Sequence, residues 1–218
     1  MPDGSTGEEI ALVFDQQRSK RVLLVAPLFD ESNKLRHQLY EIMRLLDEAG
    51  IDSVLPDLPG CNESLAPFPA QTLGHWRASV AAAAAHFGAT HVFAVRSGCW
   101  LVPDGMEGWL YAPAKPKQVL RSMIRARVLA AREAGKEETA DTLMERGRTE
   151  GLTLAGWALG ADLLQELETA EAVTPPGYST IEQTAVGGKP LWLRAENDHD
   201  ADQAQALVAL IAGQGAEQ

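Results

Sequence analysis

The segment around Arg96 has the residue spacing of a catalytic turn without its nucleophile. His91–Val95 is an apolar run of strand length, and it leads directly into Arg96-Ser97-Gly98. Small residues stand two places before and two places after Arg96, at Ala94 and Gly98, as in a nucleophile elbow, the sharp strand-to-helix turn that presents a catalytic side chain. An arginine stays protonated and does not attack a carbonyl. The spacing therefore predicts a nucleophile-type turn with a cation at its apex.

Two roles for Arg96 follow from this prediction, and the sequence leaves both open. A guanidinium at the apex can bind a carboxylate or a phosphate in a bidentate manner, which predicts an anion-binding pocket. The alternative is a structural ion pair between Arg96 and a neighbouring acid, for which the candidates are Glu31, Asp57 and Asp198.

A serine mechanism is the competing hypothesis. If the elbow is shifted by one residue, Ser97 becomes the nucleophile, with Asp198 as the orienting acid and His199 as the base. Val95 then stands where the turn needs a small residue. The other interpretation of Ser97 is a hydroxyl that caps the helix after the turn. Cys99 is a weaker candidate, because such a cysteine is usually a small buried hydrophobe.

Two features of the chain weigh against acylation. Only residues 97–102 lie between the elbow and Pro103-Asp-Gly105, so the predicted helix has little more than one turn. A full helix there would stabilise negative charge over a nucleophile. No histidine follows His199 in the sequence, and adjacent residues such as Asp198 and His199 rarely direct an acid–histidine pair at one nucleophile.

Alternating strand-like and helical segments predict an α/β fold with a mostly parallel sheet flanked by helices. The continuous apolar run at 21–26 is typical of a strand that is covered on both faces. We predict strands at 52–55, 91–95, 108–111 and 190–194, helices at 34–49, 73–87 and 200–212, and either strand or loop at 179–186. Residues 115–173 are helical in spacing, and we interpret them as a cap inserted into one domain spanning 1–218.

Composition narrows the classes of partner. The formal net charge of −11 disfavours nucleic acid and anionic membranes, since both attract clustered cations. The sequence contains no apolar run long enough to predict a membrane span, and its polar first residues are unlike a signal peptide. Two cysteines do not make a disulfide framework. We therefore expect a cytoplasmic protein. No phosphate-binding glycine loop or metal-ligand spacing occurs, which predicts neither a cofactor nor a metal.

One local cluster of basic residues has the opposite sign to the rest of the chain. It lies between 115 and 132 on a predicted amphipathic helix, and includes Lys115, Lys117, Arg121, Arg125 and Arg127. Such a face is usually solvated, but its charge also suits an acidic partner.

The order of segments resembles the α/β-hydrolase fold. Strand 21–26 and the loop Pro27-Leu28-Phe29 stand where that fold has its oxyanion loop, and residues 57–64 resemble its aspartate-x-x-glycine-x-glycine-x-serine turn, with Asn62 in place of the second glycine. Residues 193–198 resemble the turn that carries the triad acid, which implies that role for Asp198. The resemblance implies a ligand site formed by Arg96 with Leu28, Phe29, Glu31, Asn33 and Asp57. Asn33 or Ser32 alternatively forms the N-cap of the following helix.

A closer resemblance is to the exosortase A system-associated hydrolase 2 family of bacterial proteins. It rests on 29–36, 94–98, 109–113, 120–127 and 155–159, and runs from about 23 to 167. That family also tends to carry arginine at the elbow. The resemblance implies a non-acylating pseudo-hydrolase with an anion-binding or scaffolding role, a small anionic ligand or acyl substrate, and a protein partner in an exosortase or exopolysaccharide system. The alternative it leaves open is an active ester or thioester hydrolase that uses Ser97.

Overall fold

The computed structural model describes residues 7–196 and 198–213. Its strands are β1 (Ala11–Phe14), β2 (Arg21–Val25), β3 (Asp52–Pro56), β4 (His91–Val95), β5 (Glu107–Tyr111), β6 (Leu152–Leu154), β7 (Trp157–Leu159) and β8 (Tyr178–Ile181). Its helices are α1 (Asp30–Glu48), α2 (Leu73–His86), α3 (Pro116–Glu133), α4 (Ala140–Glu150), α5 (Ala161–Thr169), α6 (Gln183–Val186) and α7 (Ala201–Ala212). Short 3-10 turns occupy Phe68–Ala70, Arg96–Trp100 and Leu191–Leu193.

Six strands form one sheet in the order β1-β3-β2-β4-β5-β8. β1 runs antiparallel to β3, whereas β2, β3, β4, β5 and β8 all run parallel to one another. The predicted α/β fold with a mostly parallel sheet flanked by helices is therefore confirmed. Because β2, β4 and β5 are adjacent and parallel, the loops that follow their carboxyl ends meet at one edge of the sheet.

The described chain divides into two compact units. Of the described residues, the sheet unit comprises Ala11–Pro56, Val80–Pro113, 173–196 and 198–213, and the helical unit comprises 7–10, Asp57–Ser79 and Ala114–Ala172. The predicted insertion at 115–173 falls almost wholly within the helical unit. Its description as a cap on a single domain of 1–218 stays a prediction.

The core of the sheet unit lies between the strands and two helices. α1 places Leu35, Leu39, Ile42 and Leu46 on one buried stripe, and α7 contributes a second apolar stripe that packs in the same cluster with the strands. Residues at 22–25 of β2 are at most 1% exposed, as expected for a strand covered on both faces. Each such buried aliphatic side chain contributes about 1.5–3 kcal/mol to folding.

A buried carboxylate ties β3 to the segment between β1 and β2. Asp52 is fully buried and accepts hydrogen bonds from the backbone N–H groups of Gln16, at 3.0 Å, and Arg18, at 2.8 Å. The Nη2 group of Arg21 donates to it at 3.2 Å. Burial alone would raise the pKa of Asp52, but these hydrogen bonds hold it at about 2.

The helical unit packs α3, α4 and α5 together with the hairpin β6–β7. Gly147 in α4 sits where a Cβ would lie 2.7 Å from Leu164 Cδ1, so these two helices approach closely. α4 begins with a capping box, in which Thr139 Oγ1 accepts from the Thr142 N–H, and such a cap stabilises a helix start by about 1 kcal/mol.

Three local predictions were wrong. The segment 190–194 is a 3-10 turn and not a strand, and Leu191 is buried while Leu193 is 76% exposed. In a strand these two residues would share one face. α1 begins at Asp30, four residues earlier than predicted, so Ser32 and Asn33 lie inside the helix and the N-cap is Phe29, which makes no side-chain cap. The earlier start places Asp30 and Glu31 in the first turn, where negative charge is favourable.

Segment 179–186, which the sequence left open, is a strand followed by the short helix α6. Within the described residues, no helix has both the length and the apolar character that crossing a bilayer requires.

Candidate functional site

The turn after β4 has the geometry of a nucleophile elbow with Arg96 at its apex. Arg96 has a φ of 55°, which is uncommon for a residue with a side chain. A Cβ on Gly98 would lie 2.5 Å from the carbonyl oxygens of both Val25 and Ala26, and Ala94 is fully buried. The small residues thus stand where the backbone of β2 passes closest. The strained position is Arg96 and not Ser97, which fixes the register of the motif.

The helix after the elbow is one 3-10 turn, Arg96–Trp100. This agrees with the predicted stub. A turn of this length aligns few peptide dipoles, so it offers little of the electrostatic support that a full helix gives to a developing oxyanion.

The guanidinium of Arg96 is held by protein groups on several sides. Its Nε donates to Glu31 Oε2 at 3.1 Å and its Nη2 to Glu31 Oε1 at 3.2 Å. Its Nη1 donates to the carbonyl oxygen of Ala112 at 2.9 Å. The ring of Trp192 covers it at 4.2 Å. Of the two roles left open by the sequence, the structural ion pair is the one formed, and Glu31 is its partner.

Trp192, which covers Arg96, also borders a small internal cavity that neither Arg96 nor Glu31 lines. Trp192, Val95 and Tyr111 help to line a cavity of about 10 Å³. One ordered water needs roughly 10–15 Å³, so this cavity cannot take a carboxylate or phosphate ligand. It is the contacts of Arg96 itself that disfavour a bound anion there, since Glu31 and the Ala112 carbonyl already accept from Nε, Nη1 and Nη2.

Ser97 is buried, and its hydroxyl already has a partner. Ser97 is 2% exposed, and its Oγ accepts a hydrogen bond from the Leu28 N–H at 2.7 Å. The predicted helix cap is wrong, since the N-cap of the 3-10 turn is Val95 and makes no side-chain cap. The N–H of the presumed oxyanion loop holds the serine in place.

Leu28 and Phe29 form a buried strand-to-helix connection. They are 2% and 3% exposed, and Phe29 has a φ of 60°. Their side chains are therefore part of the packing. Their predicted part in ligand binding stays a prediction.

Asp198 and His199 are not joined to Ser97. Among the described residues, Asp198 pairs with Arg194 at 3.4 Å, and the ring of His199 packs against His37 with centroids 4.2 Å apart. The His199 Nδ1 lies 3.7 Å from Asp198 Oδ1, which is too far for the hydrogen bond that orients a catalytic imidazole. Their adjacency in sequence disfavoured a triad, and the geometry agrees.

Asn33 belongs to the sheet unit and Asp57 to the helical unit. Asn33 is exposed on α1. Asp57 belongs to the helical unit, where its Oδ1 accepts from the Asn62 Nδ2 at 2.7 Å. Asn62 has a φ of 49°, a conformation that asparagine tolerates better than most residues, which explains how it replaces a glycine in this turn. The ligand-binding roles of Asp57 and Asn33 stay predictions.

Cys99 does not provide a substitute nucleophile. It is 5% exposed, and its Sγ donates to the carbonyl oxygen of Ala94 at 3.4 Å. Burial raises the pKa of this thiol well above its ordinary value, although the nearby Arg96 acts in the opposite direction. A thiol in that state carries almost no thiolate at neutral pH.

The sequence missed Trp192 and Ala112 as parts of the site. Trp192 was placed in a strand, and the carbonyl of Ala112 carries no side-chain signal. The one available clue was position, because Ala112 follows β5, which neighbours β4 in the sheet.

Within the described chain, no group of three side chains is arranged to ligate a metal ion.

Solved structures with this fold match the chain over most of its length. Est1E from Butyrivibrio proteoclasticus, determined with ferulic acid, is 12% identical, with 96% of each chain covered and a TM-score of 0.58. Alpha/beta hydrolase domain-containing protein 10 from mouse is 11% identical, with 94% of this chain and 92% of that chain covered and a TM-score of 0.52. A protein from Agrobacterium vitis S4 named as a hydrolase is 16% identical over 56% of this chain and 60% of its own, with a TM-score of 0.39.

At these identities the likeness shows the fold alone: the chain has an α/β-hydrolase-like fold. No protein-family model matches the sequence, and no curated protein matches it.

Proposed function

We propose that this chain is a non-acylating α/β-hydrolase-like protein with a binding or scaffolding role. One observation carries the proposal. The apex of the elbow, where the fold presents a nucleophile, is an arginine whose guanidinium is fixed by Glu31, the Ala112 carbonyl and Trp192. A permanently charged group that is already ion-paired cannot form an acyl-enzyme.

The serine hypothesis requires a hydroxyl that reaches substrate and a base that takes its proton. Ser97 Oγ accepts from the Leu28 N–H, which uses the donor that would otherwise stabilise an oxyanion. His199 packs against His37. These contacts favour the non-acylating alternative over an ester or thioester hydrolase.

The setting of this function is a second part of the proposal. The resemblance at 94–98 and 109–113 to the exosortase A system-associated hydrolase 2 family supports a cytoplasmic bacterial protein that binds a component of an exosortase or exopolysaccharide system. The acidic composition, with a net charge of −11, favours a protein or small-molecule partner over nucleic acid.

Active-site labelling tests the proposal. The folded protein is treated with a fluorophosphonate probe and, separately, with p-nitrophenyl acetate, alongside Ser97→Ala and the matched control Ser179→Ala, whose serine is exposed on β8. We expect no labelling and no ester turnover in any of the three. Labelling that disappears in Ser97→Ala and persists in Ser179→Ala would establish a serine hydrolase and overturn the proposal.

A further inference from the structure

The helical unit contains a groove that the elbow does not explain. It lies along α3, is bordered by α4 and α5, and has a volume of about 620 Å³. This falls within the roughly 300–1,000 Å³ range of small-molecule sites. We call it the α3 groove, and its lining residues are Lys117, Leu120, Arg121, Ile124, Arg125, Val128, Ala140, Met144 and Glu168.

α3 presents two parallel rows of side chains to this groove. Each row has the i, i+4, i+8 spacing that places residues on one side of a helix. The apolar row is Leu120, Ile124 and Val128, and the basic row is Lys117, Arg121 and Arg125. Eight residues of helix extend about 12 Å, so the groove has a long apolar floor beside a line of positive charge.

The charges around the groove are not balanced by the protein. Glu168, the acid in the lining, accepts from Arg148 at 2.6 Å and 2.9 Å, and Lys117 lies 3.6 Å from Glu171. Within the part of the chain that the structure describes, Arg121 and Arg125 make no ion pair, although both are exposed. They stand one helical turn apart, about 6 Å along the axis.

A neighbouring arginine on α3, Arg127, forms an ion pair where an acid is in reach. Arg127, two residues from Arg125, donates to both carboxylate oxygens of Glu138, at 2.7 Å and 3.0 Å. Arg121 and Arg125, which face the apolar floor, have no such partner among the described residues, and neither does Arg132 near the end of the helix.

We propose that the α3 groove binds an amphiphilic anion. Its single alkyl or acyl chain lies along Leu120, Ile124 and Val128, and its carboxylate or phosphate head is bound by Arg121 and Arg125. Burial of the chain removes apolar surface from water, and the two guanidiniums supply charge-assisted hydrogen bonds. The head group alone, without a chain, would bind the exposed arginines weakly.

A monomeric ligand fits these features better than a membrane surface. The groove is concave and its basic row is short, whereas the whole chain carries a net charge of −11, which opposes attraction to anionic lipid. This inference does not depend on the elbow: the groove residues play no part in the Ser97 labelling experiment, so either result can fail alone.

Isothermal titration calorimetry with defined probes tests the inference on the full chain. The probes are laurate, octanoate, dodecyltrimethylammonium and inorganic phosphate. The three amphiphiles are titrated below their critical micelle concentrations. The variants are Arg121→Gln/Arg125→Gln and the control Arg132→Gln/Lys136→Gln, which removes the same charge from exposed positions outside the groove lining. Circular dichroism melts check that each variant folds.

We expect laurate to bind much more tightly than octanoate, by about fourfold per methylene that the floor buries. Loss of both groove arginines should weaken laurate binding by at least tenfold, while the control pair changes it less than threefold. Inorganic phosphate and dodecyltrimethylammonium should show no saturable binding.

Several results would overturn the inference. These are absent laurate binding, equal binding of the cationic and anionic chains, and laurate binding that survives in Arg121→Gln/Arg125→Gln. Sedimentation of the protein with phosphatidylglycerol vesicles, without binding of monomeric laurate, would replace the proposed ligand with a membrane surface. Binding of an acidic amphipathic peptide in place of laurate would reassign the groove to a protein partner.

Discussion

The contact between Arg96 and Glu31 gives a direct test of what holds the guanidinium at the elbow. We predict that Glu31→Gln destabilises the protein, because the glutamine loses the charge and one of the two acceptors that bind the guanidinium. The carbonyl of Ala112 and the ring of Trp192 remain in place, so the arginine keeps part of its environment.

The expected size follows from the burial of the pair. The side chains of Arg96 and Glu31 are 17% and 20% exposed, between the exposed pairs worth about 0.2–1 kcal/mol and the buried pairs whose disruption costs about 3–5 kcal/mol. We expect Glu31→Gln to cost about 2 kcal/mol, and a double-mutant cycle with Arg96→Met to give a coupling of about 2 kcal/mol.

The control variant is Asp30→Asn. Asp30 shares the first turn of α1 with Glu31, so both substitutions remove the same interaction with the helix dipole. Asp30 pairs with Lys34 at 3.3 Å but is 64% exposed, and its replacement should cost less than about 1 kcal/mol.

Urea denaturation at pH 7 measures these differences. With a slope of about 1–3 kcal/mol per molar for proteins of modest size, a loss of 2 kcal/mol moves the midpoint by roughly 1 M. A coupling below about 0.5 kcal/mol would show that Glu31 does not hold Arg96. In that case the guanidinium is available to a ligand, and the anion-pocket interpretation of the elbow is restored.

Three further predictions test other parts of the structure. The pKa of Asp52 is about 2 in the folded protein, against an ordinary value of 3.8, so ionised Asp52 adds about 2 kcal/mol to the free energy of unfolding above pH 3.8, and this is lost as the pH falls to 2. The urea midpoints of wild type and Asp52→Asn should therefore converge over that pH range, and profiles that stay parallel would contradict the prediction. Gly98→Ala should cost about 1–3 kcal/mol because its Cβ meets two backbone oxygens, whereas the control Gly74→Ala, with its nearest atom at 3.7 Å, should not destabilise; equal midpoints would refute the close contact. Cys61 and Cys99, both buried, should react with Ellman's reagent only after unfolding, and rapid labelling of the native protein would disprove their burial.

The sequence predicted the elements whose physical causes are local. The apolar runs of β2 and β4 are long enough to identify buried strands, and the small residues around Arg96 identify the elbow because the backbone leaves no space for a Cβ at Gly98. Glu31 was one of three candidate partners for Arg96, since it follows a strand that neighbours β4 in a parallel sheet. The choice among the three needed the structure.

The wrong predictions concern residues whose conformation is set by distant contacts. Residues 190–194 have the apolar composition of a strand, but Trp192 packs over the guanidinium of Arg96, almost a hundred residues away, and the segment turns to allow it. The start of α1 depends on Phe29, which adopts a positive φ that a propensity argument would not assign to an aromatic residue. Ser97 bonds the Leu28 N–H in preference to capping its own helix, a contact between two loops that no local pattern shows.

The elbow combines the backbone geometry of a nucleophile turn with an ion-paired arginine at its apex. A residue with a Cβ in the left-handed conformation costs about 1–2 kcal/mol, and Arg96 adopts it at φ 55°. In this fold the same strain normally exposes a nucleophile. Here the arginine in this conformation contacts Glu31, the Ala112 carbonyl and Trp192. These contacts offset the strain of the turn. Since the guanidinium donates to these internal groups, the ligand we propose for this chain binds elsewhere, at Arg121 and Arg125 of the α3 groove.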